Sequence, residues 1–499
     1  MSSKTLRHRQ ALVSRAMGTR ANAVRNQAKA KGAEGYQAFG SFHSDSAEAL
    51  FTSPLTDPAR QNPAFVPTLP PDCRLALGSN ESPHDAKRNA ALFAVDLQAW
   101  TFLNHGAFGG PTRFATQVAA SWRDAADRQP LQFHDRELFA HIVTSIKALA
   151  GVVNVADPQE LVLLHNATSG LHAVLESVVR AAPEEAKASH ERVIVCFSTR
   201  YGAVRKMLRA EEESASVRVC EVPLSLEESY DDMAVLAKLQ DALHREQELL
   251  QRHVDLVIVD HITSNTGVKL PVEKIVEVCH EREVPVLVDG AHGLLNLDLD
   301  IDKIGADYYV GNCHKWFCSP RGAAFLHVNH HQAHGRKLPI RPRVISHGYF
   351  DGMQSAFMWT GLQDYSAWLS LPKCIEFWQY QGMAECRRYM HELAQEATEL
   401  LYTEWEMPED LARAKDFPLD KRNAMRLVKL PSGRVFGVNT SHDVIATSAD
   451  AKHVQDTLHD RFNIEVPIKC VDGQLYVRIS AHVYNNLDDY AALARAVLE

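Results

Sequence analysis

The sequence lacks several patterns by which common protein classes are recognised. Its nine cysteines include no CxxC pair and no regular spacing, so we expect reduced thiols in an intracellular compartment rather than a disulfide framework. Neither GxGxxG nor GxxxxGK[ST] occurs, which leaves dinucleotide and nucleoside triphosphate binding without their usual sequence support. No apolar run is long enough to cross a bilayer, so we expect no membrane association.

Positive charge is also scarce outside the N-terminus. The formal net charge is −9, and the dispersed basic residues form no face that could neutralise a phosphate backbone, so nucleic acid is not expected as a partner. A chain of 499 residues with 45% hydrophobic content can bury a large core. We therefore predict a globular protein with two packed regions.

The first residues differ in composition from the rest. Residues 1–33 contain eight basic residues and no acidic one, and this composition resembles an organellar transit peptide. The alternative is a basic arm without a targeting function. We predict an N-terminal extension over residues 1–49 and a proline-rich linker or arm over residues 50–96, with the fold beginning near Leu97. The protein is expected to be cytoplasmic, or mitochondrial or plastid if the extension is a transit peptide.

Short apolar runs alternate with helix-length segments from that point on. The runs are ELVLL (160–164), RVIVCF (192–197), DLVIVD (255–260) and VPVLVD (284–289). Continuous apolar strands indicate that both faces of a sheet are covered. The pattern predicts an α/β fold with a mostly parallel sheet, in which ligands bind outside the carboxyl ends of the strands.

Polar residues follow each of these runs. HNATSG comes after the first, and its Thr168 and Ser169 open a helix whose free backbone N–H groups would suit a phosphate. Ordinary helix capping is the alternative, because Ser and Thr are common at N-caps.

Asp289 and Lys315 are the two charged residues that need the most explanation. Asp289 ends a buried strand, where a carboxylate is costly unless it meets a cation or several donors. Lys315 lies among aromatic and apolar residues in HKWFCSP, and a buried lysine loses its proton readily and can attack carbonyls. Pyridoxal phosphate uses an amine, a carboxylate for its pyridinium nitrogen and a phosphate cradle.

Five segments together resemble the class V aminotransferase family, in particular its isopenicillin N epimerase-like and cysteine desulfhydrase-like C–S lyase branch. They are LNHGAFGGP (103–111), HITSNTG (261–267), DGAHGLLNLDLDIDKIGADYYVGNCHKW (289–316), SPRGAAFL (319–326) and VRISAHVYNN (477–486). Their order and spacing carry the resemblance, which extends over most of residues 97–499.

The resemblance implies a pyridoxal-phosphate-dependent transferase of fold type I. A large cofactor-binding domain with a mostly parallel seven-stranded sheet is expected over residues 97–365, followed by a smaller C-terminal α+β domain over residues 366–499. The family also implies a homodimer with a shared active site and an amino acid as substrate.

The same resemblance assigns roles around the cofactor ring. Lys315 would carry the cofactor covalently and later move the Cα proton, and Asp289 would keep the pyridine nitrogen protonated. His292 matches the residue that bonds the ring hydroxyl, Tyr201 the residue that stacks on the ring face, and Ser264 a residue near the ring and the substrate.

Phosphate contacts are implied at Thr168, Asn312 and His314, and Ser169 is the neighbouring candidate at the helix start. Thr360, in WTGLQD, matches the segment that reaches the phosphate of a neighbouring subunit. That last match is the reason why the resemblance implies a dimer.

Substrate recognition is implied at Arg478, which matches the arginine that grips the substrate carboxylate. A surface arginine in an edge strand is the alternative. Asn104 and His105 are predicted to line the substrate end of the pocket, with a structural turn as their alternative.

The reaction predicted from these residues is β-elimination at cysteine or a cysteine conjugate such as a sulfoxide, which releases a keto acid and ammonia. Epimerisation and transamination are the alternatives. A desulfurase needs a nucleophilic cysteine on a mobile loop, and the candidate near Arg478 is Cys470, which lies between two short strands around a DG turn. Persulfide chemistry is therefore disfavoured.

A metal site is the alternative from another class. HVNHHQAH places His327, His330, His331 and His334 within eight residues, but without the carboxylates or thiolates that usually support zinc. We expect a solvated loop and no metal.

Overall fold

A computed structural model describes residues 47–59, 63–77, 88–181, 192–214, 217–330, 338–407 and 423–499. The predicted extension over residues 1–49 therefore lies almost wholly outside the described residues. The strands are β1 (Thr101–Phe102), β2 (Leu161–Leu164), β3 (Arg192–Phe197), β4 (Arg218–Val222), β5 (His253–Asp260), β6 (Val286–Asp289), β7 (Tyr308–Asn312), β8 (Ala324–Val328), β9 (Met425–Lys429), β10 (Arg434–Val435), β11 (Val438–Asn439), β12 (Ile464–Glu465), β13 (Ile468–Val471) and β14 (Gln474–Ser480).

Helices surround these strands, and several begin at side-chain caps, as at Asn166 and Thr447. They are α1 (Ala47–Thr52), α2 (His105–Phe108), α3 (Arg113–Arg128), α4 (Pro130–Gln132), α5 (Leu138–Val153), α6 (Ala167–Arg180), α7 (Gly202–Glu213), α8 (Leu226–Tyr230), α9 (Asp232–His244), α10 (Val272–His280), α11 (Ile301–Ile304), α12 (Met353–Met358), α13 (Ser366–Leu369), α14 (Leu371–Gln381), α15 (Met383–Glu404), α16 (Ser448–Phe462) and α17 (Leu487–Leu498).

The central sheet has seven strands in the order β2-β8-β7-β6-β5-β3-β4. Strands β4, β3, β5, β6 and β7 are mutually parallel, and β8 runs antiparallel to both β7 and β2. The predicted α/β fold with a mostly parallel seven-stranded sheet is thereby confirmed. The carboxyl ends of β3, β5, β6 and β7 meet at one edge, where the candidate site residues follow.

Alternate residues of each strand enter two different cores, as the period of two requires. Val195 and Phe197 of β3 face a core shared with α3, α5 and α14, whereas Ile194 and Cys196 face a second core shared with α6 and α7. Both faces are covered, which explains why the strands read as continuous apolar runs.

A second, antiparallel sheet has the order β13-β14-β9 and packs on α15, α16 and α17 through a separate apolar cluster. The DG turn predicted between β13 and β14 is present: Asp472 and Gly473 have φ values of 48° and 74°, as a tight hairpin turn requires. The division at residues 365 and 366 stays a prediction, since Trp368 and Trp378 belong to the core of the large sheet.

The proline-rich stretch before Leu97 is a packed arm and not a free linker. Val66, Cys73 and Leu75 are buried in the large core, and the side chain of Gln381 accepts a hydrogen bond from the backbone of Leu75 at 2.8 Å. The expectation that the fold begins near Leu97 was therefore wrong, because prolines exclude helix and sheet but not burial. Among the described helices, none combines the length and hydropathy needed to cross a membrane.

Candidate active site

Lys315 lies three residues after β7 in a tight turn closed by the hydrogen bond from the backbone N–H of Cys318 to the carbonyl of Lys315, at 3.0 Å. Cys318 adopts φ 53° to complete this turn. Burial lowers the pKa of the Lys315 ammonium to about 8; the nearby Asp289 opposes this shift and Arg478 adds to it. The side chain is therefore poised to act as a neutral amine.

Asp289 is buried at the end of β6 and stands opposite Asp260, which ends β5. The backbone N–H of Ala291 donates to Asp289 Oδ1 at 3.0 Å. Burial raises the pKa of Asp289 and, together with the charge of Asp289, raises the pKa of Asp260 well above its usual range. Two buried carboxylates in contact favour holding a proton or a neighbouring cation.

His292 connects Lys315 to the indole of Trp316. The Trp316 Nε1–H donates to His292 Nδ1 at 3.3 Å, and His292 Nε2 lies 3.2 Å from Lys315 Nζ. Because an indole can only donate, Nδ1 accepts and Nε2 carries the ring proton. Burial lowers the pKa of His292 well below its usual value, so the ring is a neutral donor directed at the lysine.

The LNHGAFGGP segment supports the back of the lysine turn. His105 Nε2 donates to the Lys315 carbonyl at 3.0 Å, and its Nδ1 lies 2.6 Å from the Tyr484 hydroxyl. The His105 ring stacks on His482 with centroids 3.9 Å apart, and His482 Nε2 donates to the carbonyl of Trp316 at 3.2 Å. His105 therefore acts on the backbone at Lys315 and is not found lining a substrate pocket.

Gly109 of the same segment explains why a glycine is needed there. Its φ is +67°, and a Cβ would come within 1.9 Å of the His314 carbonyl oxygen and 2.8 Å of Lys315 Cα. No larger residue could lie so close to the backbone of the lysine turn.

Arg478 is buried on β14 without a carboxylate partner among the described residues. It donates through Nη1 to the carbonyl of Ser264 and through Nη2 to Asn104 Oδ1 at 3.0 Å, while its Nε–H has no partner there. Asn104 in turn donates to Glu465 at 3.0 Å. Burial lowers the pKa of the Arg478 guanidinium to about 10, so the group remains a buried cation available for an acid.

The predicted phosphate residues gather at the start of α6. Asn312 at the end of β7 accepts from the backbone N–H of Ala167 at 2.9 Å, which fixes the helix start to the sheet. Thr168, Ser169 and Thr360 all line one cavity of about 260 Å³ at this helix end. The structure thus brings the segment WTGLQD to the same place as HNATSG within a single chain.

Two other predicted residues have different surroundings. His314 donates through Nδ1 to the carbonyl of Ala323 at 2.9 Å, which stabilises the loop before β8. Tyr201 precedes α7 with 40% of its surface exposed, and its backbone lies against Asp260, where a hydrogen bond favours the charged carboxylate. Its ring is free to cover a ligand at this edge of the sheet.

The histidine-rich segment divides between strand and loop. His327 is buried in β8 and its Nε2 lies 3.1 Å from Glu160, whose other oxygen accepts from the backbone N–H of His330 at 2.7 Å. Ligand atoms of His327, Glu160 and Asp302 lie within 4.8 Å of one another. The expectation of a solvated loop is therefore wrong for His327, which is buried in a strand, and His331 and His334 lie outside the described residues.

Sequence reasoning missed three residues of this site. Asp260 had a signal, because DLVIVD and VPVLVD both end in aspartate and parallel neighbours bring those ends together. No sequence pattern indicated Trp316 or His482, because their contacts with His292 and with the lysine turn depend on tertiary packing alone.

Comparison with known proteins gives consistent results. The family model described as aminotransferase class-V matches residues 131–493. An L-cysteine desulfhydrase of Arabidopsis thaliana is 29% identical over 80% of this chain and 87% of its own, and an isopenicillin N epimerase of Amycolatopsis lactamdurans is 29% identical over 80% and 95%. A solved complex of the cystine C–S lyase C-DES with its reaction product cysteine persulfide has a TM-score of 0.62 at 19% identity, covering 80% of this chain and 97% of that one, and shows the same fold.

Proposed function

This chain belongs to the class-V aminotransferase family, and we propose on that basis that it is a pyridoxal-phosphate-dependent C–S β-lyase acting on cysteine or a cysteine conjugate. The observation that carries the proposal is the proximity of a half-buried lysine of lowered pKa, Lys315, to a buried arginine that has no acidic partner among the described residues, Arg478. One offers a neutral amine and the other offers a site for a carboxylate.

The residues present fit the cofactor. A pyridinium nitrogen would supply the cation that the Asp260 and Asp289 pair lacks, and the neutral Nε2–H of His292 is a donor suited to a ring hydroxyl. The start of α6, with Thr168 and Ser169 on its cavity, suits a phosphate. When bound, the cofactor supplies a sink for the electron pair that remains at Cα after proton removal.

The chain's own residues would perform the remaining tasks. Arg478 binds the substrate carboxylate and so orients Cα toward the lysine turn. Lys315 takes the Cα proton, and His105 and His482 hold the turn in place through the carbonyls of Lys315 and Trp316. Elimination then needs only a leaving group on Cβ.

Desulfurase chemistry remains disfavoured because of the position of Cys470. Its side chain lies on β13 and donates to the carbonyl of Ala446 at 3.2 Å, and burial raises the pKa of the thiol. A raised pKa leaves little thiolate to attack sulfur.

Epimerisation is the second candidate, favoured by the likeness to isopenicillin N epimerase. The deciding experiment incubates the cofactor-loaded protein with L-cysteine and a panel of S-substituted cysteines. A lyase releases keto acid, ammonia and thiol or sulfide in equal amounts. Accumulation of the D-isomer without keto acid would indicate an epimerase, and conversion that depends on an added keto acid would indicate an aminotransferase.

We also propose a homodimer. The segment that carries Thr360 displays four large apolar side chains, with exposed fractions of 57% at Val344, 53% at Ile345, 94% at Phe350 and 74% at Leu362. Large exposed apolar side chains that lie this close together in sequence favour burial by a partner. Light scattering should give twice the chain mass, and Phe350→Glu should reduce that mass toward one chain.

We also propose that the N-terminal residues direct the protein to an organelle. This proposal rests on the basic, acid-free residues 1–33, and the alternative is a cytoplasmic protein. Fusing residues 1–49 to a fluorescent protein and observing its distribution in cells distinguishes the two.

A further inference from the structure

A second cleft, of about 590 Å³, opens beside the proposed carboxylate site. It lies between the loops that follow β3 and β5 and the β13–β14 hairpin, and its lining includes Thr199, Asn265 and Lys469. The two sites are adjacent because Ser264, whose carbonyl binds Arg478, immediately precedes Asn265. A molecule held at Arg478 can therefore extend into this cleft.

Lys469 and Arg478 project from the same face of the small sheet. Lys469 on β13 pairs with Tyr476 on β14, and Arg478 follows two residues later, so the side-chain period of two puts all three on one side. Diagonal neighbours of this kind are roughly 7–8 Å apart. The hairpin thus presents two cations side by side, one toward each site.

The cleft carries an excess of unpaired positive charge. Among the described residues, Lys469 has no ion-pair partner, and Arg205 donates only to the carbonyl of Ser198, at 2.9 Å. Lys452 lines the same cleft but is already paired with Asp456. One carboxylate, Asp472, belongs to the lining.

Partial burial makes this unpaired lysine costly. Burial lowers the pKa of Lys469 to about 8, and the charge of Arg478 adds to the shift. The hydroxyl of Thr199 is also buried without a partner among the described residues. An incoming anionic group would supply a partner both for this half-buried cation and for the buried Thr199 hydroxyl.

We propose that this cleft binds an anionic group on the sulfur side of the substrate, so that the preferred substrates are cysteine disulfides or S-conjugates that end in a carboxylate or sulfonate. The inference rests on the proposed lyase function and names its substrate class. Arg478 takes the α-carboxylate, and Lys469, aided by Arg205 and Thr199, takes the distal acid.

The overall reaction balances without an oxidant or a reductant. The Cβ–S bond breaks with its electron pair on sulfur, and the sulfur takes one proton as it leaves. A disulfide substrate therefore releases a hydropersulfide (R–S–SH), and a thioether conjugate releases a thiol (R–SH). With one water, the remaining three-carbon unit becomes pyruvate and ammonium.

The test uses two mixed disulfides of L-cysteine that differ only at the far end. One contains 3-mercaptopropionate, and the other contains 3-mercaptopropionamide, which has the same length but no charge. The holoenzyme should release pyruvate from the acid with a kcat/KM about tenfold or more above that for the amide, as one charge-assisted hydrogen bond provides. Lys469→Gln should bring this ratio close to one and leave the amide nearly unchanged, whereas Lys452→Gln should keep the wild-type ratio.

Binding provides a measurement that does not depend on turnover. In a Lys315→Ala background, calorimetry should show that Lys469→Gln weakens the acid about tenfold or more and the amide little. If neither disulfide yields pyruvate, the lyase function fails while calorimetry still decides the subsite. Equal use of both disulfides by the wild type, or equal losses for both in Lys469→Gln, would overturn the subsite and leave the lyase function standing.

Discussion

Asp260 and Asp289 stand opposite each other at the ends of two neighbouring parallel strands, and both carboxyl groups are buried. Lys315 is close enough to influence the pKa of Asp289. Burial and the negative charge of Asp289 together raise the pKa of Asp260 well above that of an exposed aspartate.

Asp260→Asn should therefore make the apoprotein more stable at neutral pH. A carboxyl whose folded pKa is raised loses stability as the pH rises above its unfolded value, by at most about 1.4 kcal/mol per pH unit. The variant should show a flatter dependence of Tm on pH than the wild type. Asp443→Asn, at an exposed carboxyl away from this pair, is the control for the substitution itself. A steeper slope in Asp260→Asn would contradict the raised pKa.

Lys315→Ala should abolish the visible absorbance of bound cofactor and the turnover, while the far-ultraviolet circular dichroism stays unchanged, since the nucleophile is lost but little core volume. In the wild type, capture of pyridoxal phosphate by the apoprotein should accelerate as the pH rises through about 8, because only the neutral amine of Lys315 attacks a carbonyl. Stopped-flow absorbance on both sides of that pH measures this. A normal reducible adduct in the variant would remove Lys315 from the role.

Arg478→Lys should leave the cofactor spectrum intact but weaken the use of amino acids. One arm of the guanidinium fork is lost, which corresponds to about 1.5–3 kcal/mol, or a ten- to hundredfold fall in kcat/KM. Amines without a carboxylate provide the control and should react nearly as before. Equal losses for both substrate types would assign Arg478 to structure, in keeping with its contacts to Asn104 and Ser264.

His105→Asn should disturb the lysine turn without touching the substrate. The shorter side chain cannot reach the Lys315 carbonyl from the position of Nε2. Because that carbonyl keeps its hydrogen bond from the Cys318 N–H, the loss should cost about 0.5–1.5 kcal/mol. We expect a lower Tm together with a shifted pH midpoint of cofactor capture, which a purely structural loss would not move. His453→Asn is the matched control, because His453 is exposed and also donates through Nε2 to a backbone carbonyl, that of Phe436. Its effect should stay within about 0.5 kcal/mol.

Four of the seven strands of the large sheet could be predicted from the sequence to within two residues. RVIVCF coincides with β3, and VPVLVD ends where β6 ends, because strands buried on both faces leave uninterrupted apolar runs. The positions of Asp289 and of the helix start near Thr168 could be predicted because each lies at, or a few residues after, the end of a predicted strand. Local chemistry was sufficient for both.

The direction in which the side chains of a motif point could not be predicted from the sequence. Asn104 and His105 are neighbours in one motif, yet Asn104 accepts from Arg478 while His105 turns to the backbone of Lys315. That difference is set by packing against Tyr484 and His482, which come from the far end of the chain. The role of Lys469 could not be predicted for the same reason, because it depends on the position of β14 beside the strand that carries this lysine.

The rings of His105 and His482 stack on each other although the two residues are far apart in the chain, so their contact can form only late in synthesis. A ribosome releases His105 first, then Lys315, and only later the strand that carries Arg478 and the loop with His482. Until those residues emerge, the carbonyl of Trp316 has no ring to bond and the guanidinium is absent. Lys315 is therefore synthesised well before the residues that surround it, and the complete lysine turn can form only after almost the whole chain has been made.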